Sequence, residues 1–363
     1  RTSEMLSMQR ILMGLALFFI VGTLLPLLSH DHWAVRFFDF PRAQIAAAGP
    51  VIAGVYVTFW DTGYLVQDAI LAVLMVCVGY QLYTMHPYTP VARAQVMTAD
   101  EDRSEVQFSL LIANVRVTNR DAQPLRELIA THHPDLILTL ETDAWWEAEL
   151  EDLEQTHPHV VKHVLDNAYG MMLHARLPLV DPEVRFLVED DVPSIHTQVE
   201  LPSGVRFDLH QMHPRPPHPM RKPNTTERDA ELLILGQQLG AHERPSVVAG
   251  DLNDVSWSYT TTLFQKTSGL LDPRIGRGLY NTFHAEYPFF RYPLDHMFHT
   301  KHFKLVDIQR LPYIGSDHFP VLVTLQYEDG APTEQDSPDA DPAEEAQAHE
   351  EIAKVADPSV TNR

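Results

Sequence analysis

Three long apolar stretches in the first 85 residues constrain the fold more than any other feature of the chain. Residues 11–29 and 43–60 contain no charged side chain, and residues 64–85 contain only Asp68. A helix needs roughly 20 apolar residues to cross the hydrocarbon core of a bilayer. The pattern therefore predicts a membrane unit of about three transmembrane helices within residues 1–85.

Two other interpretations of these stretches are a cleaved signal peptide and helices buried in a soluble core. No small-residue cleavage site follows the first stretch, and two more apolar stretches come after it, which favours membrane spans. The second stretch is the least regular because Pro50 interrupts its helical continuity. The turn signal Asp61-Thr62-Gly63 predicts that the last two helices form a hairpin.

These spans predict a multi-pass membrane protein, with the lipid bilayer as a partner. Lys and Arg residues near the span ends weakly favour a cytoplasmic C-terminal part. The count does not decide the membrane side of that part, and the oligomeric state is undetermined from the sequence.

Composition divides the rest of the chain into three parts. Residues 86–107 have the Pro, Thr, Ala and charged residues of a linker, and residues 108–327 alternate between strand-like and helix-like segments. Residues 328–363 contain 11 acidic and 2 basic residues with few apolar ones, which predicts a disordered tail. The net charge of −22 leaves −10 on residues 108–327, and so acidic a domain is poorly suited to long nucleic acid.

In residues 108–327, polar side chains stand where apolar strand-like segments end. Glu141 follows "DLILTL", and Asp251 and Asn253 follow "SVVAG". Because strand ends converge at one edge of a sheet, such side chains can meet in one crevice. Mixed strands and helices in a single block predict an α/β sandwich. The residues at these positions are Asn114, Glu141, His213, Asp251, Asn253, Asp295, Asp317 and His318.

These residue types together indicate the chemistry of phosphoester hydrolysis. Carboxylate and amide oxygens suit a hard cation such as Mg²⁺, with Mn²⁺ or Ca²⁺ as alternatives. A histidine beside a carboxylate can transfer protons near neutral pH. Taken singly, each motif is more often a surface turn or a helix cap, and only their recurrence after five strands favours a shared site.

Zinc is the less favoured metal for this chain. The single cysteine, Cys77, excludes a thiolate site. The histidines of "HQMHPRPPHP" (His210, His213 and His218) lack helical or fixed-turn spacing, so a substrate loop with one catalytic histidine is the preferred interpretation.

Six motifs make the resemblance to a known family specific. They are "ANV" (113–115), "LTLETD" (138–143), "MHPRPP" (212–217), "AGDLND" (249–254), "PLDHMF" (293–298) and "GSDHFPV" (315–321). In this order they resemble the endonuclease/exonuclease/phosphatase family with its DNase-I-like fold. The layout resembles bacterial members with N-terminal membrane spans, which implies a multi-pass protein of the bacterial inner membrane. The resemblance implies an α/β (α+β) four-layer sandwich, two packed β-sheets flanked by helices, over residues 108–327.

The resemblance also implies roles for the metal and phosphate side of the site. Glu141 would hold the divalent metal, with Asn114 and Asp317 nearby. Arg116 stands where many nuclease relatives have an acid, so it would meet substrate phosphate instead. Asn253 would steady the phosphate.

The remaining implied roles concern protons. Asp251 would orient or deprotonate the attacking water, sharing the role of base with His318. His318 would be oriented by Asp295. His213 would protonate the leaving oxygen or stabilise the phosphoryl charge.

We therefore expect a membrane-anchored, divalent-metal-dependent phosphodiesterase or phosphatase, acting on a lipid headgroup, a nucleotide or another small phosphoester. The alternative is a metal-dependent endonuclease or exonuclease that holds phosphates with Arg116, Arg215 and Arg221. A catalytically inactive binding module of the same fold is the third interpretation. A degenerate domain would have lost some of the acidic and imidazole residues, and all of them are present.

Overall fold

The computed structural model describes residues 3–28, 30–58, 65–101, 103–220 and 222–356. Its strands, in chain order, are β1 (Gln107–Asn114), β2 (Leu136–Leu140), β3 (His159–His163), β4 (Met171–Ala175), β5 (Leu179–Arg185), β6 (Ser194–Glu200), β7 (Arg206–Met212), β8 (Ser246–Asp251), β9 (Asp295–His299), β10 (Phe303–Arg310) and β11 (Val321–Tyr327).

The described strands form two sheets. The six-stranded sheet has the order β10-β11-β1-β2-β4-β3, and the five-stranded sheet has the order β5-β6-β7-β8-β9. Both are mixed: β1 runs parallel to β2, and β7 runs parallel to β8, while the other pairs are antiparallel. The two parallel pairs lie in the middle of their sheets, so their carboxyl ends define the polar edge considered below.

Residue alternation within the strands explains why the sheets stack. Phe108, Leu110 and Ile112 of β1 contribute to the core between the sheets, whereas Leu111 and Ala113 contribute to a second cluster on the outer face. Successive side chains of a strand point to opposite faces, so a continuous apolar run is buried on both sides.

The helices, in chain order, are α1 (Ser3–Leu24), α2 (Trp33–Arg36), α3 (Arg42–Thr58), α4 (Leu65–Met85), α5 (Gln123–His132), α6 (Ala144–Glu149), α7 (Thr226–Gly240), α8 (Tyr259–Ser268), α9 (Ala331–Glu334) and α10 (Pro342–Ala356). Helices α5 and α6 cover the outer face of the six-stranded sheet, and α7, α8 and α10 cover the other outer face. The predicted arrangement of two packed sheets flanked by helices is confirmed.

Local sequence determines where two of these helices begin. Asp143 precedes α6 and its Oδ1 accepts from the N–H groups of Trp145 and Trp146, both at 3.1 Å. Ser258 precedes α8 and its Oγ accepts from the N–H of Thr261 at 3.0 Å. Each side chain satisfies backbone donors that a helix leaves unpaired in its first turn.

The predicted disorder of residues 328–363 is wrong for the helical part of this segment. Helix α10 packs on α7 and α8, with Ala348 fully buried and Ile352 against the same cluster. Its acidic Glu344 lies 2.5 Å from Lys266 of α8. The prediction of disorder rested on the acidic composition of this segment. Two apolar residues four positions apart, Ala348 and Ile352, nevertheless give the helix a face that packs on the sandwich. Residues 357–363 lie outside the described part.

The predicted linker, residues 86–107, also packs on the sandwich. Val96 is fully buried in the core between the sheets, and the Tyr88 hydroxyl donates to the carbonyl oxygen of Ser256 at 2.9 Å. A linker composition therefore did not produce a free linker. The domain boundaries themselves stay predictions.

Helices α1, α3 and α4 pack together around Ala16, Ala53, Leu74 and Val78. Away from this small core, large apolar side chains are exposed, for example Phe18 and Val76. We call α1, α3 and α4 the helical unit.

Within the described residues, two helical segments are long and apolar enough to cross a membrane by length and composition. They are Ser7–Leu28, with a mean hydropathy of 2.6, and Leu65–Tyr88, with a mean hydropathy of 1.8. The stretch predicted as the second span forms a 17-residue helix with Pro50 inside it, shorter than the roughly 20 residues that a span needs. The turn predicted at Asp61-Thr62-Gly63 lies outside the described residues.

Residues 30–41, which join α1 to α3, dock onto the sandwich; we call them the interhelical segment. The N–H of Trp33 donates to the carbonyl of Pro223 at 2.7 Å, and the N–H of Thr225 donates to the carbonyl of Asp31 at 2.8 Å. The Nε1 of Trp257 donates to the carbonyl of Asp39 at 2.6 Å. These bonds fix the segment against the loops that precede α7 and α8.

Candidate active site

The polar residues predicted from strand ends lie at one edge of the sandwich. Asn114 ends β1, Glu141 follows β2, and Asp251 ends β8. Asp317 and His318 precede β11, and Asp295 begins β9, which neighbours β8. Two stacked sheets with parallel central pairs bring these ends together, as the strand-end argument predicted.

Asn114 connects the two sheets at the centre of this edge. Its Nδ2 donates to Glu141 Oε1 at 2.9 Å and to Asp251 Oδ2 at 3.0 Å. Its Oδ1 accepts from the N–H of Arg116 at 3.0 Å, which orients the amide. A single amide thus holds two carboxylates, one from each sheet, close to each other.

Glu141 is held in an unusual backbone conformation. Its φ is 60°, in the left-handed region that non-glycine residues rarely adopt, and Asn253 shares this region with φ 52°. The N–H of Val117 donates to Glu141 Oε2 at 3.2 Å. Backbone strain of this kind concentrates at functional sites, where it aims a side chain that regular strand geometry would not. Burial raises the pKa of the Glu141 carboxyl.

Asp251 is fully enclosed at the end of β8. The residue before it, Gly250, has φ 144°, and an added Cβ there would lie 1.9 Å from the carbonyl oxygen of Met212, so only glycine fits. The N–H of Asn253 donates to Asp251 Oδ1 at 3.0 Å, and Asn253 Nδ2 donates to the Pro214 carbonyl at 3.0 Å. Burial raises the pKa of Asp251.

The two site histidines differ in their charge state. His318 Nδ1 lies 2.7 Å from Asp295 Oδ2, and its Nε2 lies 3.5 Å from Asp251 Oδ2. Although burial lowers the pKa of His318, the carboxylates of Asp295 and Asp251 together raise it to about 10. His213 Nε2 lies 3.7 Å from Asp251, but burial dominates and lowers the pKa of His213. The neighbouring carboxylates therefore favour the charged form of His318, whereas burial favours the neutral form of His213.

The site has the donor set of a hard divalent cation. Ligand atoms of Asp251, Asp295 and His318 all lie within 4.8 Å of one another, and these residues form the single group of this kind among the described residues. Asp295 Oδ1 is buried without a hydrogen-bond partner in the described part of the chain. Glu141 lines the same pocket as Asp251 and His318. The carboxylate oxygens, without thiolate, fit a hard divalent metal ion, whereas His318 can be a ligand only when its imidazole is neutral.

A pocket of about 630 Å³ opens onto these residues, and two distant parts of the chain line it. One wall carries Glu141, Asp251 and His318. The interhelical segment contributes an aromatic wall, which consists of Trp33, Phe37 and Phe40. A pocket of this size with a few convergent polar groups is the usual form of a small-molecule site.

The predicted arginine contacts have different outcomes. Arg116 lies at the rim, partly exposed, with its Nε 3.9 Å from Asp317 Oδ2. Arg215 is already paired with Glu189 at 3.0 Å and Asp191 at 2.7 Å. Arg221 lies outside the described residues. Of the two predicted arginines that the structure describes, Arg116 is the one next to a pocket residue, Asp317.

The disfavoured zinc cluster does not form among the described residues. His210 Nδ1 bonds His196 Nδ1 at 2.7 Å, while His213 faces Asp251. His218 pairs with Lys222 through the backbone in the loop before α7. The three histidines thus serve three different surroundings.

Sequence reasoning missed two contributors to the site. Thr282 accepts through Oγ1 from the N–H of Asp295 at 3.3 Å, and its carbonyl accepts from the N–H of Phe319 at 3.0 Å, so it braces both sides of His318. The aromatic wall of the interhelical segment was the other omission. Its density of aromatic residues, four between positions 32 and 40, was the available signal.

A two-sheet sandwich whose strand ends join carboxylates, an imidazole pair and a metal-ligand set defines a class of enzymes that hydrolyse phosphoesters. The chain belongs to the Endonuclease/Exonuclease/phosphatase family, whose model matches residues 111–318. Members of this family are phosphoester hydrolases, typically metal-dependent, and the chain is accordingly a hydrolase of phosphoester bonds.

Solved structures show the same fold. An endonuclease/exonuclease/phosphatase from Beutenbergia cavernae is 17% identical, with a TM-score of 0.50 over 61% of this chain and 72% of that chain. TDP2 from D. rerio, complexed with single strand DNA product, is 16% identical, with a TM-score of 0.50 over 61% and 99% of the two chains. The human Nocturnin catalytic domain with bound sulfate is 16% identical, with a TM-score of 0.50 over 62% and 96%. A comparison with curated proteins finds no match.

Proposed function

We propose that this protein is a membrane-anchored, Mg²⁺-dependent phosphoester hydrolase acting on a lipid headgroup, a nucleotide or another small phosphoester. The observation that carries the proposal is the shared pocket, in which Asp251 and His318 face residues of the segment that joins two apolar helices. A catalytic site built partly from an anchor segment implies that the reaction takes place beside the anchor.

The exposed surface of the helical unit supports the anchor. Phe18, Val21 and Val76 are exposed on its helices, at 57%, 48% and 73%. A soluble protein seldom exposes so much contiguous apolar surface, whereas a lipid bilayer solvates it. The length and hydropathy of α1 and α4 agree with this interpretation.

The charge states at the site suggest how the residues divide the work. His318, positively charged beside Asp295, is suited to bind the phosphoryl oxygens rather than to accept a proton. Asp251 remains as the base that takes the proton of the attacking water. His213, neutral and 3.7 Å from Asp251, would act on the leaving oxygen, with Asn253 as a phosphate contact.

Glu141 is the residue best placed to hold the metal, with Asn114 and Asp317 next to it. Asp295 and His318 already satisfy each other at 2.7 Å, so they are less available as ligands. Bound Mg²⁺ would polarise a phosphoryl oxygen as a Lewis acid. In a titration of activity against Mg²⁺, we expect Glu141→Gln to raise the half-saturating concentration by at least about tenfold. If Asp295→Asn raises the half-saturating Mg²⁺ concentration about tenfold and Glu141→Gln does not, the metal is held by the Asp251, Asp295 and His318 group instead.

The direct test uses the full chain purified in detergent and a chromogenic phosphodiester, bis(p-nitrophenyl) phosphate. We expect hydrolysis with Mg²⁺, none with EDTA, and recovery when Mg²⁺ is restored. His318→Gln should remove most of the activity while the far-ultraviolet circular dichroism spectrum stays unchanged. Absence of hydrolysis with every divalent cation tested would favour the inactive binding module.

A nuclease is the second candidate, because a structural neighbour is complexed with single strand DNA product. The acidic net charge argues against it for long nucleic acid. Nicking of supercoiled plasmid at rates above those for small phosphodiesters, at physiological salt, would support the nuclease and displace the proposal.

A further inference from the structure

The active-site pocket is lined by two chemically different sets of residues. One set includes Asp251 and His318, and the other consists of the aromatic residues Trp33, Phe37 and Phe40. A phosphate alone needs only the first set. The second set offers aromatic surface to an apolar group attached to that phosphate.

The aromatic wall is a fixed part of the protein. Phe40 contacts Tyr292 of the catalytic domain edge to face, with ring centroids 5.4 Å apart. The bond from Trp33 N–H to the Pro223 carbonyl holds the other end of the wall at 2.7 Å. The wall lies outside residues 111–318, which match the family, so it is a feature that this chain adds to the family domain.

The wall also lies where the apolar helices meet the catalytic domain. Leu27 and Leu28, just before the interhelical segment, are exposed at 51% and 65%. Gln44, at the start of α3, donates to the carbonyl of Phe289 at 2.9 Å, and the loop around Phe289 exposes Tyr287 and Phe290 as well. Aromatic residues are enriched at the interface between bilayer and water. Exposed aromatic residues thus lie where the helical unit meets the catalytic domain.

We propose that the interhelical segment binds the apolar chain of a membrane lipid whose phosphoester is presented to Asp251 and His318. This inference rests on the proposed function and narrows its substrate class to lipid phosphoesters. Phe37, half exposed beside the pocket, contacts the chain where it leaves the bilayer. Trp33 and Phe40 line the same pocket as Asp251 and His318 and would contact the rest of the apolar chain.

Two chromogenic esters that differ only in their apolar arm test the proposal: hexadecyl p-nitrophenyl phosphate and methyl p-nitrophenyl phosphate. Both are assayed with the full chain, Mg²⁺ and the same detergent micelles. We expect kcat/KM for the hexadecyl ester to exceed that for the methyl ester by at least about tenfold, as burial of an alkyl chain predicts. Phe37→Ala and Trp33→Ala should each reduce that ratio about fivefold or more.

Phe18→Ala is the matched control, because Phe18 is 57% exposed and Phe37 is 53% exposed, and both rings contact Phe38. Phe18 is not part of the pocket lining, so its variant should keep the wild-type ratio. Since every variant is compared in the same micelles, partitioning of the hexadecyl ester cancels.

Three outcomes overturn the inference. The first is equal kcat/KM for the two esters, and the second is a hexadecyl preference that Phe37→Ala and Trp33→Ala leave intact. The third is faster hydrolysis of the p-nitrophenyl ester of thymidine 5′-monophosphate that depends on Trp33, which would make the wall a platform for a nucleobase. If neither alkyl ester is hydrolysed with Mg²⁺, the proposed function itself fails.

Discussion

The catalytic sandwich and the helical unit bury their polar and apolar groups in opposite ways. In the sandwich, apolar residues fill the interior and carboxylates gather at one edge, held by Asn114 and the site histidines. In the helical unit, apolar residues such as Phe18 face outward. Its buried polar contacts, among them those of Arg42 with Asp39 and Gln81, lie at the end that meets the sandwich. This contrast in where the apolar side chains face indicates that the two regions are adapted to different surroundings.

The first prediction compares the loss of kcat caused by a mutation at the catalytic edge with the loss caused by a mutation elsewhere in the same sheet. Asp251→Asn should lower kcat for a phosphodiester about a thousandfold, within the range of lost general acid–base catalysis, because the carboxylate that accepts the water's proton is gone. Initial rates with saturating Mg²⁺ measure it. Asp208→Asn is the control: Asp208 is also buried in this sheet but bonds Gln198 at 3.0 Å away from the pocket, so its rate should stay within about twofold. Similar losses in both variants would mean general damage to the sheet.

The second prediction compares an inward-facing with an outward-facing phenylalanine. Phe108 is fully buried and stacks on Phe207 with ring centroids 4.4 Å apart. Phe108→Ala should lower the free energy of unfolding by roughly 3–5 kcal/mol. Phe18→Ala in detergent should change it by less than about 0.5 kcal/mol, because detergent solvates the ring in both states. Urea unfolding of the full chain measures both, and a large loss in Phe18→Ala would show that the helical unit packs against further protein.

The third prediction concerns the buried ion pair at the junction. Asp39 Oδ1 lies 2.7 Å from Arg42 Nη2, and both side chains are buried. Asp39→Ala leaves a buried guanidinium without its carboxylate, so we expect a loss of about 3 kcal/mol and faster proteolysis between the helical unit and the sandwich. Asp100→Ala, at a side chain 86% exposed, is the control with a change under about 0.5 kcal/mol. If the rate of proteolysis is unchanged in Asp39→Ala, the Asp39 side chain does not contribute to docking of the helical unit on the sandwich.

The smallest predicted effect is a pH dependence of the free energy of unfolding, and it arises from a buried histidine of the sandwich. Burial lowers the pKa of His174 to about 4, and its two ring nitrogens have no hydrogen-bond partner among the described residues. The unfolded chain, with a histidine pKa near 6.5, therefore binds more protons between pH 6.5 and pH 4. Stability is intact above pH 6.5 and falls as the pH drops, by about 2 kcal/mol at pH 5 from this residue.

His174→Leu should remove that share of the loss, measured as the free energy of unfolding at pH 7.5 and pH 5. An unaltered pH dependence in His174→Leu would contradict the assignment.

The two strand-like segments singled out in the sequence, "DLILTL" and "SVVAG", have unbroken apolar runs, unlike strands β5 and β10. β2 and β8 are buried along their whole length, so composition alone identified them. β5 contains Asp181 and Pro182, and its register shifts between Val180 and Glu183. β10 has a similar irregularity between Leu305 and Asp307. A bulge breaks the alternation on which strand prediction depends.

The sequence predicted which residues form the site, but it did not predict which segments surround them. Glu141 and Asp251 each follow an apolar strand, and this position in the sequence was enough to predict that they lie together at one edge of the sheets. Whether the interhelical segment covers the pocket depends on docking contacts such as Trp257 with Asp39, and no local pattern encodes such contacts. The charge state of His318 likewise depends on two carboxylates from different strands, Asp251 and Asp295.

Helix α10 carries a practical consequence for making fragments of this protein. The family match stops at residue 318, yet Ala348 and Ile352 cover the apolar face formed by α7 and α8. A fragment cut at the family boundary would leave that face open to water and invite self-association. Expression of the hydrolase without its helical unit should therefore extend to residue 356, so that the sheet with Asp251 keeps its outer cover.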